Sequence, residues 1–190
     1  LLRCVLDPND HIALVGMLRS PTVGVPDAAL IPLWSRNFPQ LVGQFRGGLR
    51  VGDVDGETGN VDGFNEIETA LREVVDVMPE VVGLDRIEGW ETSALAALRI
   101  LGRLRESFET EAPDRFVERL RTEFAAEISE AGRFPAAFRL ANLERFYRDL
   151  ASDLAAGADE QALVRRLRSS AARERDADEP VAIVEGAVQV

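Results

Sequence analysis

The sequence predicts a mainly α-helical domain that ends in a single strand. Large hydrophobic side chains recur at three- and four-residue steps through most of the 190 residues, which is the period of helices with one buried face. Prolines, glycines and capping residues divide these stretches where helices begin or end. Only "VAIVEGAVQV", at 181–190, has the pattern of an extended segment, in which Val188 and Val190 alternate around Gln189 in the manner of a strand. A chain of this length can form one domain with a sizeable core.

The charged residues exclude one class of enzyme. All 22 basic residues are arginine, against 33 acidic residues, and the formal net charge is −11. A Walker A loop needs a lysine on the nucleotide phosphates, so this chain is not by itself a P-loop ATPase. No apolar run approaches the roughly 20 residues of a membrane span, and "LLRCVLDPND" is too short and too soon charged for a signal peptide. We therefore expect a cytoplasmic chain with no membrane partner.

The first helices are predicted from their capping residues. Residues 1–6 have the pattern of the last turns of a helix, in which Cys4 is a small core residue rather than a nucleophile. Asp7 is the predicted N-cap of the next helix, with Pro8 at its first position. The expected buried residues of this helix are Ile12, Leu14, Val15 and Leu18.

A loop rich in prolines and glycine follows, within "LRSPTVGVPDAAL" at 18–30. Its residues favour restricted or unusual backbone angles, which are used both in ligand-binding loops and in simple chain reversals. Asp27 is the predicted N-cap of a short helix that ends near Pro32. We expect Trp34 and Trp90 to anchor the core rather than to stack on bases.

Residues 46–63, "RGGLRVGDVDGETGNVDG", are rich in glycine and aspartate, a composition typical of a flexible loop. The pattern invites comparison with the EF-hand calcium loop. Whether that loop is started at Asp53 or at Asp55, the glycine of its sixth position and the glutamate of its twelfth do not both fit. We therefore interpret the segment as a solvated acidic loop.

Five further helices are predicted from the period of their hydrophobic residues. Asn65 is the predicted cap of the first, and the second starts near Thr92. The third closes at Gly132, the fourth closes at Gly157, and the last covers residues 159–175. The inward-facing residues expected on the first four are Ile67, Leu71, Val74 and Val75; Leu95, Leu98, Ile100, Leu101 and Leu104; Phe116, Leu120, Phe124 and Ile128; and Phe138, Leu143, Phe146, Leu150 and Leu154.

The predicted strand at 181–190 has no partner strand elsewhere in the sequence. Because a lone strand is not stable in water, we expect it to join a sheet of a larger protein. The first predicted helix also lacks a start. We interpret the chain as an insertion from a larger protein, with a helical subdomain at 1–180 followed by a strand that leads back into the remainder.

Catalytic motifs are absent from the sequence. His11 is the only histidine, has no cysteine nearby with which to share a metal ion, and is interpreted as a structural residue. The motifs GxSxG, HExxH and GxGxxG do not occur. An acidic chain brings carboxylates together by chance, so no pair is assigned as general acid and base. The chain itself is therefore not predicted to be an enzyme.

The arginines are more informative about function than the histidine and the carboxylates. The segment "RRLRSSAARER", which starts at residue 165, holds five arginines and one glutamate. Arg115 and Arg119 share one helix face, and Arg121 points elsewhere. Such arginines either pair with neighbours such as Glu118 and Glu123 on a solvated surface, or bind phosphate through their planar guanidinium groups. The negative net charge argues against a general nucleic-acid clamp and permits local basic patches.

The order of residues in "DPNDHIALVGMLRSPTVGVPDAAL" resembles one known family. It is similar to the segment DPxDxxALxxxLRSPxxGxxDxxL that opens the 2B insertion of UvrD/Rep-like superfamily 1 DNA helicases, above all in the RecB and AddA branch. Two later pieces agree: "RLANLERFY" looks like the family's arginine and asparagine-leucine helix, and "GAVQV" looks like the lead-in to the motif TIHxxKGLE. The matching residues of the first segment are Asp7, Pro8, Asp10, Ala13, Leu14, Leu18, Arg19, Ser20, Pro21, Gly24, Asp27 and Leu30.

The resemblance implies that this chain is one part of an ATP-driven DNA translocase. The expected fold is the multi-helix 2B subdomain of a superfamily 1A helicase, with a terminal strand that belongs to the missing motor domain 2A. ATP and Mg²⁺ would be bound by the missing motor domains, and no cofactor is expected in this chain. The implied partners are duplex or fork-junction DNA, the motor domains of the same parent chain and, in helicase–nuclease complexes, a nuclease subunit.

In UvrD-like members the duplex contact carries a TPxRGIGxxTL-like segment, to which "SPTVGVPDAAL" is similar. The residues that fit are Pro21, Thr22, Gly24, Asp27 and, in place of isoleucine, Val25. Val23 replaces the family's arginine, and Pro26 replaces its second glycine. Because proline has no N–H, one backbone donor for a phosphate is lost.

Two functions are left open by the resemblance. One is contact with duplex DNA, which would regulate unwinding in repair or recombination. The other is a protein-interaction module of a helicase–nuclease complex with no direct DNA contact, which the acidic charge favours. The candidate DNA-binding residues are Arg19, Thr22, Gly24, Val25, Arg139, Asn142, Arg165, Arg166 and Arg168.

Overall fold

The computed structural model of the chain describes residues 1–47, 61–78, 89–124 and 136–177. These residues form helices and turns without a strand, so the predicted mainly helical fold is confirmed. The predicted strand at 181–190, most of the 46–63 loop, and the predicted positions Ile128 and Gly132 lie outside them. The helices are α1 (Leu2–Leu6), α2 (His11–Leu18), α3 (Asp27–Ser35), α4 (Phe38–Gln44), α5 (Val61–Val77), α6 (Trp90–Thr110), α7 (Pro113–Phe124), α8 (Ala136–Ala155) and α9 (Glu160–Ala177).

The core is built from the apolar faces of the longer helices. α5, α6 and α7 are amphipathic, and their buried sides carry residues predicted from the period, such as Leu71 and Leu98. α5 packs against α3, α4 and α6, and α7 packs against α6 and α8. Cys4 and Trp90 are buried in this core, and Trp34 packs against it half-buried, as predicted.

The short helix α1 packs against both α6 and α9, and all its residues except Arg3 are buried. From α6, the buried Arg105 side chain donates from Nε and Nη2 to the Cys4 carbonyl oxygen, at 3.1 and 2.8 Å. Its Nη1 donates to the carbonyl oxygens of Val42 and Phe45 at the end of α4. One side chain thus supplies donors to carbonyl groups at two helix ends, where intrahelical partners run out.

α6 comes unusually close to the segment after α4 at Gly102. A Cβ on Gly102 would lie 2.3 Å from the carbonyl oxygen of Gly47 and 2.4 Å from Cε1 of Phe45. The Gly47 amide donates to the Gly102 carbonyl oxygen at 3.3 Å. This approach requires glycine at position 102, because any other residue would place a Cβ inside its neighbours.

The structure corrects the predicted start of α2. The N-cap is Asp10, whose Oδ1 accepts a hydrogen bond from the Ala13 amide at 2.9 Å. Asp7 instead holds a turn before the helix, in which its Oδ1 accepts from the Asn9 amide at 3.1 Å. The helix therefore starts three residues later than predicted, because Asp10 is the carboxylate placed to reach an unpaired first-turn amide.

The predicted start and end of α3 are also wrong. The residue before the helix is Pro26, so that Asp27 is its first residue and not its N-cap. The helix continues through Pro32 to Ser35, because a proline removes only one intrahelical donor and Leu33 beyond it is fully buried. The Ser35 hydroxyl donates to the Pro32 carbonyl oxygen at 2.8 Å and holds the last turn.

Some residues predicted to face inward are exposed. Ile12 on α2, Val75 on α5 and Phe138 on α8 are 79%, 40% and 66% exposed. α5 also begins at Val61, four residues before the predicted cap Asn65, so that residues 61–63 are helical and not part of a loop. These residues lie near the ends of helices, where the period of the sequence does not fix which side is covered.

The later helix ends agree more closely with the sequence. α6 begins at Trp90, two residues before the predicted start. Gly157 follows α8 with a φ of +81°, the left-handed conformation expected of a glycine that ends a helix. Asp159 precedes α9, and its Oδ1 accepts from the Ala162 amide at 2.6 Å, as an N-cap side chain does.

Candidate functional site

The segment that resembles the helicase pattern forms a tight corner between α2 and α3, residues 18–27. The amides of Val23 and Gly24 donate to the Ser20 carbonyl oxygen at 3.0 and 2.8 Å, and the amide of Val25 donates to the Leu18 carbonyl oxygen at 2.9 Å. Gly24 has a φ of +72°, which favours glycine over residues with a Cβ. The corner is therefore closed by its own backbone hydrogen bonds.

Two valines fix the corner to the core. Val23 and Val25 are 3% and 4% exposed, and both belong to the core cluster. Val25 was a candidate DNA-binding residue, but its side chain is buried and its amide is already bonded to Leu18. The structure thus gives Val25 a packing role instead, because a side chain in the core offers no surface to a ligand.

The outer side of the corner carries an ion pair. Arg19 Nε lies 2.7 Å from Oδ1 of Asp27, and Nη2 lies 3.1 Å from Oδ2. This is the two-pronged geometry that guanidinium groups also use with phosphate. Both side chains are exposed, at 55% and 69%. Beside them, the hydroxyls of Ser20 and Thr22 lie 3.0 Å apart and share a hydrogen bond.

The backbone of the corner has few donors left for a phosphate. The amides of residues 19, 20, 23, 24 and 25 all donate to carbonyl oxygens of this region, and Pro21 and Pro26 have no N–H. Within residues 19–26 of the described chain, only Thr22 keeps an amide without such a bond. Side chains, and not the backbone, are therefore what this corner offers to an anion.

The other candidate residues lie on the last two helices. Arg139 and Asn142 are exposed on α8, which packs against α7. Arg165, Arg166 and Arg168 are exposed on α9. The structure therefore does not gather all the candidates into one site: Arg168 of α9 reaches Asp10 at the start of α2, whereas α8 packs mainly against α7.

Carboxylates pair with two of the three candidate arginines on α9. Arg166 pairs with Asp153 and lies 3.5 Å from Asp149, both on α8. Arg168 Nη2 lies 3.4 Å from Oδ2 of Asp10 and 3.6 Å from Oδ2 of Asp7. These arginines connect α9 to its neighbours, so a phosphate group would compete with carboxylates for them.

On α7, Arg119 and Arg121 are also paired with carboxylates. Arg119 Nη2 donates to Glu111 at 2.6 Å, and its Nη1 lies 3.7 Å from Glu123. The Arg119 hydrogen bond, followed by one from the Ser107 hydroxyl, lowers the pKa of the Glu111 carboxyl. Arg121 points to another side, where it lies 3.1 Å from Glu144 of α8. The open groove beside Arg119, whose charged lining residues are Glu111, Arg115, Glu118, Arg119 and Glu123, therefore carries one more negative than positive charge.

An apolar surface beside the corner was missed from the sequence. Ile12 on α2 and Ile31 on α3 are 79% and 80% exposed, and Gly16 lies exposed one turn after Ile12. Arg19, one turn after Gly16, pairs with Asp27, which lies one turn before Ile31 on α3. We call these five residues the corner strip. The sequence did contain a signal for this surface. The α2 sequence "HIALVGML" has no charged residue on any side, and a helix that is apolar all round is normally covered on every side. An exposed side of such a helix therefore indicates a surface that another protein could cover.

His11 lies exposed at the first position of α2. In the described ranges, no three His, Cys, Asp or Glu side chains are grouped so that they could hold a metal ion. The aspartates tried as a calcium loop, Asp53 and Asp55, lie outside those ranges. None of the helices that the structure describes is both long and apolar enough to cross a membrane.

Comparisons with known proteins give no match for this chain, whether made against protein-family models, against curated proteins or against solved structures.

Proposed function

We propose that this chain is the non-catalytic 2B subdomain of a UvrD/RecB/AddA-like DNA helicase, which contacts duplex DNA and regulates unwinding in repair or recombination. The parent's ATP and Mg²⁺ would be bound by its motor domains. The observation that carries the proposal is that the residues of the helicase-like pattern are those that build the corner. Their shared roles suggest that the pattern specifies a structural unit rather than a chance run of letters.

Six residues of the pattern have a physical role in that unit. Asp10 caps α2, Leu14 and Leu18 are buried beneath it, and Gly24 supplies the left-handed residue of the turn. Asp27, the next residue of the pattern, pairs with Arg19. A corner held this firmly presents its exposed side chains in a fixed arrangement, which a nucleic-acid contact needs.

The electrostatics support weak, salt-sensitive binding. Arg19, Arg166 and Arg168 would contact phosphates after their carboxylate partners are displaced. Exposed ion pairs of this kind contribute about 0.2–1 kcal/mol each, so displacement is inexpensive for Arg19, whereas Asp10, the partner of Arg168, is buried. Each arginine that neutralises a phosphate releases counterions, and affinity therefore falls as salt rises.

Fluorescence anisotropy with a labelled fork duplex, at low and at physiological salt, tests the DNA contact. Arg19→Gln is expected to weaken binding severalfold at low salt and to reduce its salt dependence. Arg72→Gln is the matched control, because Arg72 is an exposed arginine of α5 that pairs with Glu68 at 2.7 Å. Absence of binding at low salt, or equal losses in both variants, would refute the proposed contact.

A second function is supported by the corner strip. The chain carries a net charge of −11, its described arginines are largely paired with carboxylates, and Ile12 and Ile31 are exposed. Such a surface is suited to an apolar face of another protein, and a nuclease subunit or the parent's motor domains are the partners to test. In this alternative the chain is a protein-interaction module with no direct DNA contact.

Binding measured at high salt distinguishes the protein contact from the DNA contact. Binding to a purified partner subunit through the strip is expected to persist at 0.5 M salt and to be lost when Ile12→Ser and Ile31→Ser are combined. Val75→Ser with Val77→Ser is the control, since these are exposed valines of α5 that do not belong to the corner strip. Binding that is unchanged by the isoleucine pair, or that disappears in salt, would count against this alternative.

A further inference from the structure

Asp10 joins three helices at the start of α2. Its side chain is only 3% exposed. Oδ1 caps α2 through the Ala13 amide, and Oδ2 accepts from Nε of Arg3 on α1 at 2.9 Å. The same Oδ2 lies 3.4 Å from Nη2 of Arg168 on α9. One buried carboxylate is therefore shared between the cap of α2 and two arginines that come from opposite ends of the sequence.

Arg168 ties α9 to this point. Its Nη2 also lies 3.6 Å from Oδ2 of Asp7, just before α2. α9 packs against α1, and its buried residues Leu163 and Val164 lie one turn before Arg168. Displacement of α9 would therefore withdraw one of the two cations that balance the charge of Asp10, and would leave this buried carboxylate less well paired.

α2 connects Asp10 to the corner. The helix has eight residues and is about 12 Å long, and a helix this short is not stable in water on its own. At its far end the Leu18 carbonyl oxygen accepts from Val25, and Arg19 pairs with Asp27. Loss of the cap favours opening of α2, and the corner then loses the helix that supports it.

From this arrangement we propose that docking of α9 stabilises α2 and the corner through Asp10, so that displacement of α9 loosens the candidate site. The coupling is reciprocal, because weakening the cap must also weaken the docking of α9. It is a property of this chain and goes beyond the proposed function. Only its effect on binding of DNA or a partner rests on that function.

Hydrogen–deuterium exchange of the full chain tests the coupling. Arg168→Gln removes the charge that reaches Asp10, and Arg165→Gln removes an exposed arginine of the same helix as the control. We expect amides of residues 13–25 to exchange about fivefold faster in Arg168→Gln, the effect of a weakened cap, and less than about twofold faster in Arg165→Gln. Amides of α5 are the internal reference and are expected to stay unchanged.

Two outcomes would overturn the proposal. In one, exchange quickens in α9 while residues 13–25 keep their protection. In the other, residues 13–25 and α5 lose protection equally, which is global destabilisation. The reverse measurement uses Asp10→Asn, which keeps a capping side chain and removes the charge, and it should quicken exchange at residues 163–168. If Arg168→Gln does not fold, this reverse arm decides: unchanged protection of α9 in Asp10→Asn contradicts the coupling.

Discussion

Arg105 and Cys4 lie 101 positions apart in the sequence, and the guanidinium group of the first donates twice to the carbonyl oxygen of the second. No carboxylate accepts from Arg105 among the described residues; its other acceptors are the carbonyl oxygens of Val42 and Phe45. Burial, followed by the nearby charge of Arg46, lowers the pKa of Arg105 to about 10. The side chain stays protonated at neutral pH and joins α6 to the ends of α1 and α4.

Replacement of this arginine should therefore be costly. Arg105→Met leaves three buried carbonyl groups with fewer donors, and we expect a loss of about 3 kcal/mol in the free energy of unfolding. Arg105→Lys keeps the charge but not the planar fork, and should lose nearly as much. Urea unfolding followed by circular dichroism measures both, with Arg165→Met on the exposed side of α9 as the control. A change within 0.5 kcal/mol of the control would contradict the role given to Arg105.

Two glycine-to-alanine changes should have opposite effects on the free energy of unfolding. Alanine at position 102 puts a Cβ at 2.3 Å from a backbone oxygen, and overpacking of this kind costs about 1–3 kcal/mol. Gly16, in contrast, is exposed within α2 and has nothing within 4 Å of an added Cβ. Gly16→Ala should gain about 0.5–1 kcal/mol through helix propensity. Thermal unfolding of both variants gives the signs, and stabilisation by Gly102→Ala would show that the α6 contact is looser than described.

Low pH should lower the stability of the folded chain in part by protonating Asp10. Burial raises the pKa of this carboxyl, but the hydrogen bonds from the Ala13 amide and Arg3 more than offset it, and the pKa lies below its ordinary value. Because the folded-state pKa is the lower one, the contribution of the carboxylate is complete above the unfolded value of about 3.9. It is lost as pH falls through the folded value.

Asp10→Asn measures that contribution. At pH 7 we expect it to lower the free energy of unfolding by about 2 kcal/mol, the range for a hydrogen bond to a charged group. The gap between the wild-type chain and the variant should shrink as the pH is lowered from 5 to 2 in urea titrations. A gap that stays constant across that interval would mean that the ionised form of Asp10 adds nothing to stability.

The Arg19–Asp27 ion pair at the corner predicts that a substitution of Asp27 will raise the affinity for DNA. Asp27→Asn removes the carboxylate that pairs with Arg19 and also removes a negative charge from the corner. If the corner contacts DNA, affinity for a fork duplex should rise severalfold at low salt and the gain should shrink at high salt. Glu68→Gln frees Arg72 in the same manner away from the corner and is the control. A rise of equal size in both variants would point to net charge alone.

The sequence predicted the long helices better than the short ones. The faces of α5 and α6 follow the helical period over many turns, so Ile67 and Leu98 were placed in the core correctly. α2 and α3 are short and apolar on nearly every side, and the period therefore could not show that Ile12 and Ile31 face outward. Their exposure depends on which helices lie nearby, which is a property of the tertiary fold.

The buried polar contacts of Arg105 and Asp10 were not predicted, although the sequence contains a signal for Arg105. Arg105 follows Leu98 and Leu101 at helical spacing, on the same buried stripe of α6. An arginine in an apolar stripe indicates a buried partner, but the sequence does not identify three backbone carbonyls as that partner. The contact of Arg168 with Asp10 spans 158 positions, a separation that local patterns cannot bridge. The grouping of the candidate site residues was equally beyond local patterns.

The position of α1 against α6 and α9 also sets an order of folding. This five-residue helix cannot hold together alone, and its partners, near residues 105 and 168, come much later in the chain. At ribosomal rates of about 5–20 residues per second, α9 is synthesised on the order of ten seconds after α1. Until then α1 lacks its packing against α9. α1 is therefore synthesised before the helices that cover it and is among the last of the described helices to reach its native place, so its apolar side chains need protection from aggregation until α6 and α9 have formed.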